Sequence, residues 1–350
     1  MNDRFYPAFL TAILSFFLLF ITPRAFAEKI LNVYTWSGVI PEFAIRQFEK
    51  ETGIKVNFST YDSNEVMYAK LSAGKNPGYD IIEPSSYYID RMRRQHMLEK
   101  LDKSKLPLFK NLNPDLLNKA YDPLSQYSMP FIWGITGIVA NKEEIKTSTI
   151  NRWSDLWDPK YADKVLLLDD SREVFSIALL TLGYSANDTN PEHIKEAYSK
   201  LRQLLPNVKL FNNSVISLLI DEDITLGMAW NGDTFKARKE NSKLTFIYPK
   251  DGFVIWVDNF AIPKDAPHLE NAYKFLNFML RPDIAAAIEM DTSFPTANKA
   301  AQRLLPAAVK HDPIIYPSPA ILRRGIFQTD IGDEALALYE KYWERLKIGG

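Results

Sequence analysis

Ile30-Leu31-Asn32-Val33-Tyr34-Thr35-Trp36 opens the part of the chain that decides the fold. It reads as a short buried strand. Pro41 then stands at the first position of a helix over residues 42–52. Phe43, Ala44 and Phe48 recur there at helical spacing, and Gly53 supplies the stop. Residues 54–58 alternate Ile, Lys, Val, Asn, Phe, which predicts a second strand. Asp62-Ser63-Asn64-Glu65 caps another helix ending near Gly74, and Asp80-Ile81-Ile82, broken by Pro84, is a third strand. Strand, helix, strand, helix, strand is the order of a parallel sheet with crossover helices. Ligands in such sheets lie beyond the carboxyl ends of the strands. Two loops are expected there: Trp36-Ser37-Gly38 and Pro84-Ser85-Ser86-Tyr87-Tyr88.

Further along, residues 128–140 form an extended stretch, with Gly134 and Gly137, that crosses into a second lobe. That lobe begins again with a strand over 165–168, helices over 172–182 and 191–205, and a buried strand over 226–230. Asn231-Gly232-Asp233 follows and reads as a glycine turn. Phe253, Val254 and Ile255 lead a strand into Trp256-Val257-Asp258, and Phe260-Ala261-Ile262-Pro263 returns to the first sheet. Helices are predicted over 270–280, from Pro282, and over 333–346. The expected fold class is α/β, with two lobes joined by extended crossings and the ligand between them. Residues 28–135 and 258–302 are assigned to lobe 1, and 136–257 and 303–350 to lobe 2.

The 350 residues carry 42 basic and 43 acidic side chains, net charge −1. No basic excess exists to hold nucleic acid. The absence of cysteine rules out disulfides, thiolate metal sites and a cysteine nucleophile. Arg4, an apolar stretch from Ala8 to Ile21 and the small-x-small site Ala25-Phe26-Ala27 read as a cleaved signal peptide over residues 1–27. The mature chain is then a soluble periplasmic monomer beginning at Glu28. His96, His193, His268 and His311 are scattered, so no transition-metal site is expected. Neither a glycine-rich phosphate loop nor a Gly-x-Ser-x-Gly elbow occurs, and an enzyme is not expected.

Trp256 and Asp258 lie two apart on a strand and so share a face. A ring beside a carboxylate suits an organic cation. Alone, the fragment is more economically read as a half-buried strand with a core Trp and a solvated Asp. Asp170 and Glu173 stand where a strand gives way to a helix. Their spacing is that of a helix cap, useful for stability alone, yet the same junction is where α/β sites are built. Trp230 and Asp233 repeat the pairing of ring and acid. The repetition carries more weight than any single pair: Trp36, Tyr87, Trp230 and Trp256 all fall at strand ends or crossings, with acids beside them.

Together with Glu49-Lys50-Glu51-Thr52-Gly53-Ile54-Lys55-Val56, Asp102-Lys103-Ser104-Lys105-Leu106 and Leu280-Arg281-Pro282-Asp283, these residues closely resemble the spermidine/putrescine-binding periplasmic proteins. The resemblance implies a hinged, two-lobed type II binding-protein fold that holds a polyamine between its lobes and needs no cofactor. It implies delivery to the inner-membrane permease subunits of an ATP-binding-cassette importer; a polyamine sensor for a membrane receptor is the alternative. Carried over position by position, the ligand-binding residues fall on Trp36, Ser37, Ser85, Tyr87, Asp170, Glu173, Trp230, Trp256, Asp258 and Gln328. Phe294 stands where a tyrosine is common, and Asp233 resembles the putrescine-preferring branch. Gly38 and Val39 stand where the family usually has an acid and an aromatic.

Overall fold

The first strand, β1 (Ile30–Trp36), lies between β2 (Lys55–Tyr61) and β3 (Ile81–Ile82) in a parallel sheet of order β2-β1-β3. This computed structural model describes residues 29–74 and 76–349; the expected signal peptide lies outside the described residues. The crossovers are α1 (Glu42–Thr52), as the periodicity predicts, and α2 (Asn64–Ser72), as its capping residues predict. Ser63 caps α2, its hydroxyl accepting from the Val66 N–H at 3.2 Å. The stretch expected as a loop after Pro84 differs. Ser85 is the first flanking residue of a helix, α3 (Ser86–Arg94), in which Tyr87, Tyr88, Ile89 and Met92 are buried. Asp90 and Arg91 are buried on the same helix, and Pro84-Ser85-Ser86 at its start reads locally as a loop.

The longest strand, β4 (Met129–Asn141), is buried along all 13 residues. The first part of it pairs antiparallel with β9 (Phe253–Phe260). From Thr136 onward it pairs with β7 (Leu226–Trp230) and from Ile138 with β8 (Leu244–Ile247). Beyond β7 the sheet continues parallel through β5 (Val165–Leu167) to β6 (Val208–Phe211), and β10 (Gly325–Phe327) adds to β9 on the opposite edge. Isolated bridges Ile82↔Ala261 and Ser85↔Asp258 tie the end of β9 to the first sheet, the return expected from the apolar 260–263. Both β4 and β9 belong to the larger sheet, and the bridge to Ser85 sets Asp258 against the end of the first one.

Helices cover the sheet faces: α4 (Ser171–Thr181), α5 (Pro191–Leu204), α6 (Val215–Ile220) and α7 (Asn231–Glu240), then α8 (Leu269–Met279) and α9 (Pro282–Thr292). Three short helices, α10 (Lys299–Gln302), α11 (Ala307–Lys310) and α12 (Pro319–Leu322), lead to α13 (Gly332–Lys347). Asn231-Gly232-Asp233 is the start of α7 and not a turn. The Asn231 amide accepts from the Ile135 N–H at 3.0 Å and donates to the Ile314 carbonyl at 2.9 Å, so long-range contacts override the local turn propensity. One apolar core runs beneath both sheets, and a smaller cluster of Tyr34, Tyr61, Ile82, Tyr88 and their neighbours fills the space behind α2 and α3.

Candidate ligand-binding cleft

A cavity of about 140 Å³ opens where the carboxyl ends of β1 and β3 face those of β5 and β7. It is lined by Trp36, Ser37, Ser85, Tyr87, Asp170, Glu173, Trp230, Trp256, Asp258, Phe294 and Gln328, residues expected from the sequence. Val39, Asn64 and Ile132 complete the wall. Asp233 does not line it. It lies buried in the first turn of α7, because the chain winds into a helix after Trp230 where a turn was expected. Burial pushes its carboxyl up to about 7, with Lys236 opposing.

On the first sheet's side, Asn64 organises the wall. Its amide donates to Ser85 Oγ at 3.0 Å and to the Tyr87 hydroxyl at 3.1 Å, and its carbonyl accepts from the Ser85 N–H at 3.1 Å. Ser85 Oγ in turn donates to Asp258 Oδ1 at 2.6 Å. Burial pushes the Asp258 carboxyl up to about 7, and the Ser85 hydrogen bond offsets part of that shift. Nothing in the sequence distinguishes Asn64 from an ordinary residue at a helix start.

Asp170 and Glu173 come from the start of α4. Asp170 Oδ1 accepts from the Glu173 N–H at 2.9 Å, the capping bond that the spacing predicts. Both acids also line the cavity, so capping and cleft-lining coincide in one residue. Desolvation raises both carboxyls; Glu65 adds to the rise for Asp170, and Asp170 adds to it for Glu173. Glu173 Oε2 is buried and without a hydrogen-bond partner among the described residues.

Rings enclose these acids. Trp256 pairs across the sheet with Gly134, and a Cβ built on Gly134 would come within 2.1 Å of the indole. Only glycine lets that ring lie against β4. Trp256 meets Phe294 edge-on, centroids 5.5 Å apart, and Phe294 is seated over Gly232, where a Cβ would lie 2.3 Å from its ring. Trp36 leans on Tyr61 with centroids 5.0 Å apart. Gly38, at φ +77°, has nothing within 4 Å of a built Cβ, so that lip is open but strained for any other residue.

Buried carboxylates are costly unless a positive charge answers them. Aromatic faces add cation–π attraction and cover methylene groups. A cavity with acids from β9 and from the start of α4 and rings between them fits a flexible organic cation with more than one charge.

The sequence matches the family described as bacterial extracellular solute-binding protein over residues 44–317. A spermidine/putrescine-binding periplasmic protein of Salmonella typhimurium is 46% identical over 320 residues, spanning 91% of this chain and 92% of that protein. The putrescine-binding periplasmic protein PotF of Escherichia coli is 36% identical over 343 residues, spanning 92% of both. Among solved structures, the spermidine/putrescine ABC transporter substrate-binding protein PotD of Streptococcus pneumoniae superposes with a TM-score of 0.80 at 32% identity, covering 91% of this chain and 99% of that one. By sequence and by fold, the chain belongs to the bacterial extracellular solute-binding proteins, and among them to the spermidine/putrescine-binding periplasmic proteins.

Proposed function

We propose that this protein captures a linear polyamine, spermidine or putrescine, in the periplasm and presents it to the inner-membrane permease subunits of an ATP-binding-cassette importer. The observation that carries the reading is the pairing of Asp258 with Asp170 and Glu173 across one ring-lined cavity, the acids held up by burial. The residues lining that cavity act as the ligand contacts, acids on the ammonium groups and Trp36, Trp230, Trp256 and Phe294 on the methylenes. Lobe 1 comprises residues 28–135 and 258–302, and lobe 2 comprises 136–257 and 303–350; β4 changes partner at Thr136 and β9 bridges to Ser85 at Asp258, which supports the division. Because both lobes contribute acids, the ligand binds the closed form better and shifts the population towards it. The protein acts as a monomer, exported by a signal peptide cleaved before Glu28, and catalyses no reaction.

The test is a thermal-shift panel of putrescine, cadaverine, spermidine, norspermidine and spermine. The melting temperature should rise with the logarithm of concentration for at least one diamine or triamine. A shift with a sugar or ferric iron and none with any polyamine would overturn the reading.

A further inference from the structure

Asn64 opens α2, yet its side chain is not the cap of that helix, since Ser63 already accepts from the Val66 N–H. It is buried and reaches the cleft wall. Asn207, Asn231, Asn241 and Asn298, also buried, donate to backbone carbonyls and so tie segments of the chain together. The Asn64 amide donates instead to two side-chain hydroxyls, those of Ser85 and Tyr87. Both belong to residues that line the cavity.

The direction of each bond follows from what its atoms can do. A backbone N–H only donates, so the Ser85 N–H fixes Asn64 Oδ1 as the acceptor facing it, and the Asn64 nitrogen is left to donate. Ser85 Oγ accepts from that nitrogen at 3.0 Å and keeps its single proton for the Asp258 carboxylate, with Oδ1 at 2.6 Å. Three residues distant in sequence thus form one directed row that ends on a carboxylate. A hydroxyl that accepts one hydrogen bond donates the next more strongly. We infer that Asn64 is a positioning residue of the ammonium subsite, which through the Ser85 hydroxyl holds Asp258 as an oriented acceptor for the cation. The row occupies Oδ1 and leaves Oδ2 to the ligand. A bond donated to a carboxylate also favours its ionised form, the form an ammonium group needs. Tyr61 on β2, Glu83 after β3 and Tyr121 feel the Asp258 charge, and none of them is a cation. The Ser85 bond is what opposes the effect of burial on Asp258.

The inference rests on the polyamine reading, so wild type is titrated first, with putrescine and spermidine, by calorimetry between about pH 5 and 8. Ser85→Ala removes the hydroxyl and keeps the backbone bond to Asn64; Asn64→Leu removes the amide at nearly the same shape. Ser85→Ala should bind about tenfold more weakly, as the loss of a bond to a charged group does. Asn64→Leu should bind about threefold to tenfold more weakly, because it acts through that bond. In both variants the pH at which affinity is half developed should move upward, a change that a merely structural asparagine would not cause. The double variant should bind no more weakly than Ser85→Ala alone, since the two residues work in one row. If Asn64→Leu does not fold, Asn64→Ala takes its place, its smaller side chain admitting water to the Ser85 N–H. An unmoved pH midpoint in Ser85→Ala overturns this role whatever the Asn64 variants do. So does an Asn64 variant with wild-type affinity and midpoint, or one whose loss adds in full to that of Ser85→Ala. A wild type silent to putrescine and to spermidine overturns the proposed function, and this role falls with it.

Discussion

Asp170 both caps α4 and lines the cleft, and the two tasks separate experimentally. Asparagine caps a helix about as well as aspartate does. Asp170→Asn should therefore keep its melting temperature while polyamine affinity falls by about 1.5–3 kcal/mol, the usual worth of a charged hydrogen bond. Calorimetry and a melt on the same sample check it; retained affinity with lost stability would make capping the whole role. Protonation gives a second test. Burial raises Asp258 to about 7, well above an ordinary aspartate near 4. A raised folded-state value stabilises fully below the unfolded pKa, and that stability is lost as pH rises through the folded value. Asp233 and Glu289, each also raised by burial to about 7, act with the same sign. From these groups, the melting temperature of the empty protein should fall between about pH 5 and 8. The ligand-induced rise should grow over the same range, because ammonium groups bind the ionised acids. At this scale the period-two alternation made Trp256 and Asp258 legible as one face, and helix spacing marked Asp170 and Glu173. Asn-Gly-Asp reads as a turn because of its strong turn propensity, whereas it starts α7 and sets Asp233 outside the cavity lining; the role of Asn64 lies in partners far along the chain, Ser85 and Tyr87.

Strand β4 is the element on which the cleft depends, and Gly134 is its most constrained point. A side chain there must displace the Trp256 indole. Gly134→Val should destabilise the protein by about 1–3 kcal/mol, as overpacking does. Polyamine affinity should fall as well, because the ring is pushed from its place. A variant with wild-type melting and wild-type affinity would mean that the indole is not held against β4. The longer elements were legible because their apolar positions repeat: α1, α5, α8 and α13 all carry a buried face against an exposed one, whereas α2 was marked by its capping residues. β6, β8 and β10 were not. Each has three or four residues, and their half-buried patterns offer no sustained alternation.

In the whole molecule, the parts that meet across the cleft are far apart in sequence. The Ser86 hydroxyl donates to the Gln328 carbonyl at 3.2 Å, and Arg91 pairs with Asp330 and Asp333. Partners separated by 242 positions leave no local pattern, so these cross-links could not be read before the fold was known. Gln328 itself was reached only through family resemblance. The two-lobed plan was legible, because strand–helix units recur on both sides of the long crossing at 129–141. The central claim is that acids held between the lobes await a ligand with two separated positive charges. Calorimetric titration of the mature protein with putrescine, spermidine and 1,4-butanediol tests it most directly, since the diol keeps the putrescine skeleton and removes both charges. The expected result is a dissociation constant on the order of micromolar or tighter, about −8 kcal/mol, for at least one of the amines and no measurable binding of the diol. Equal affinity for diol and diamine, or heat from neither amine, would contradict the account.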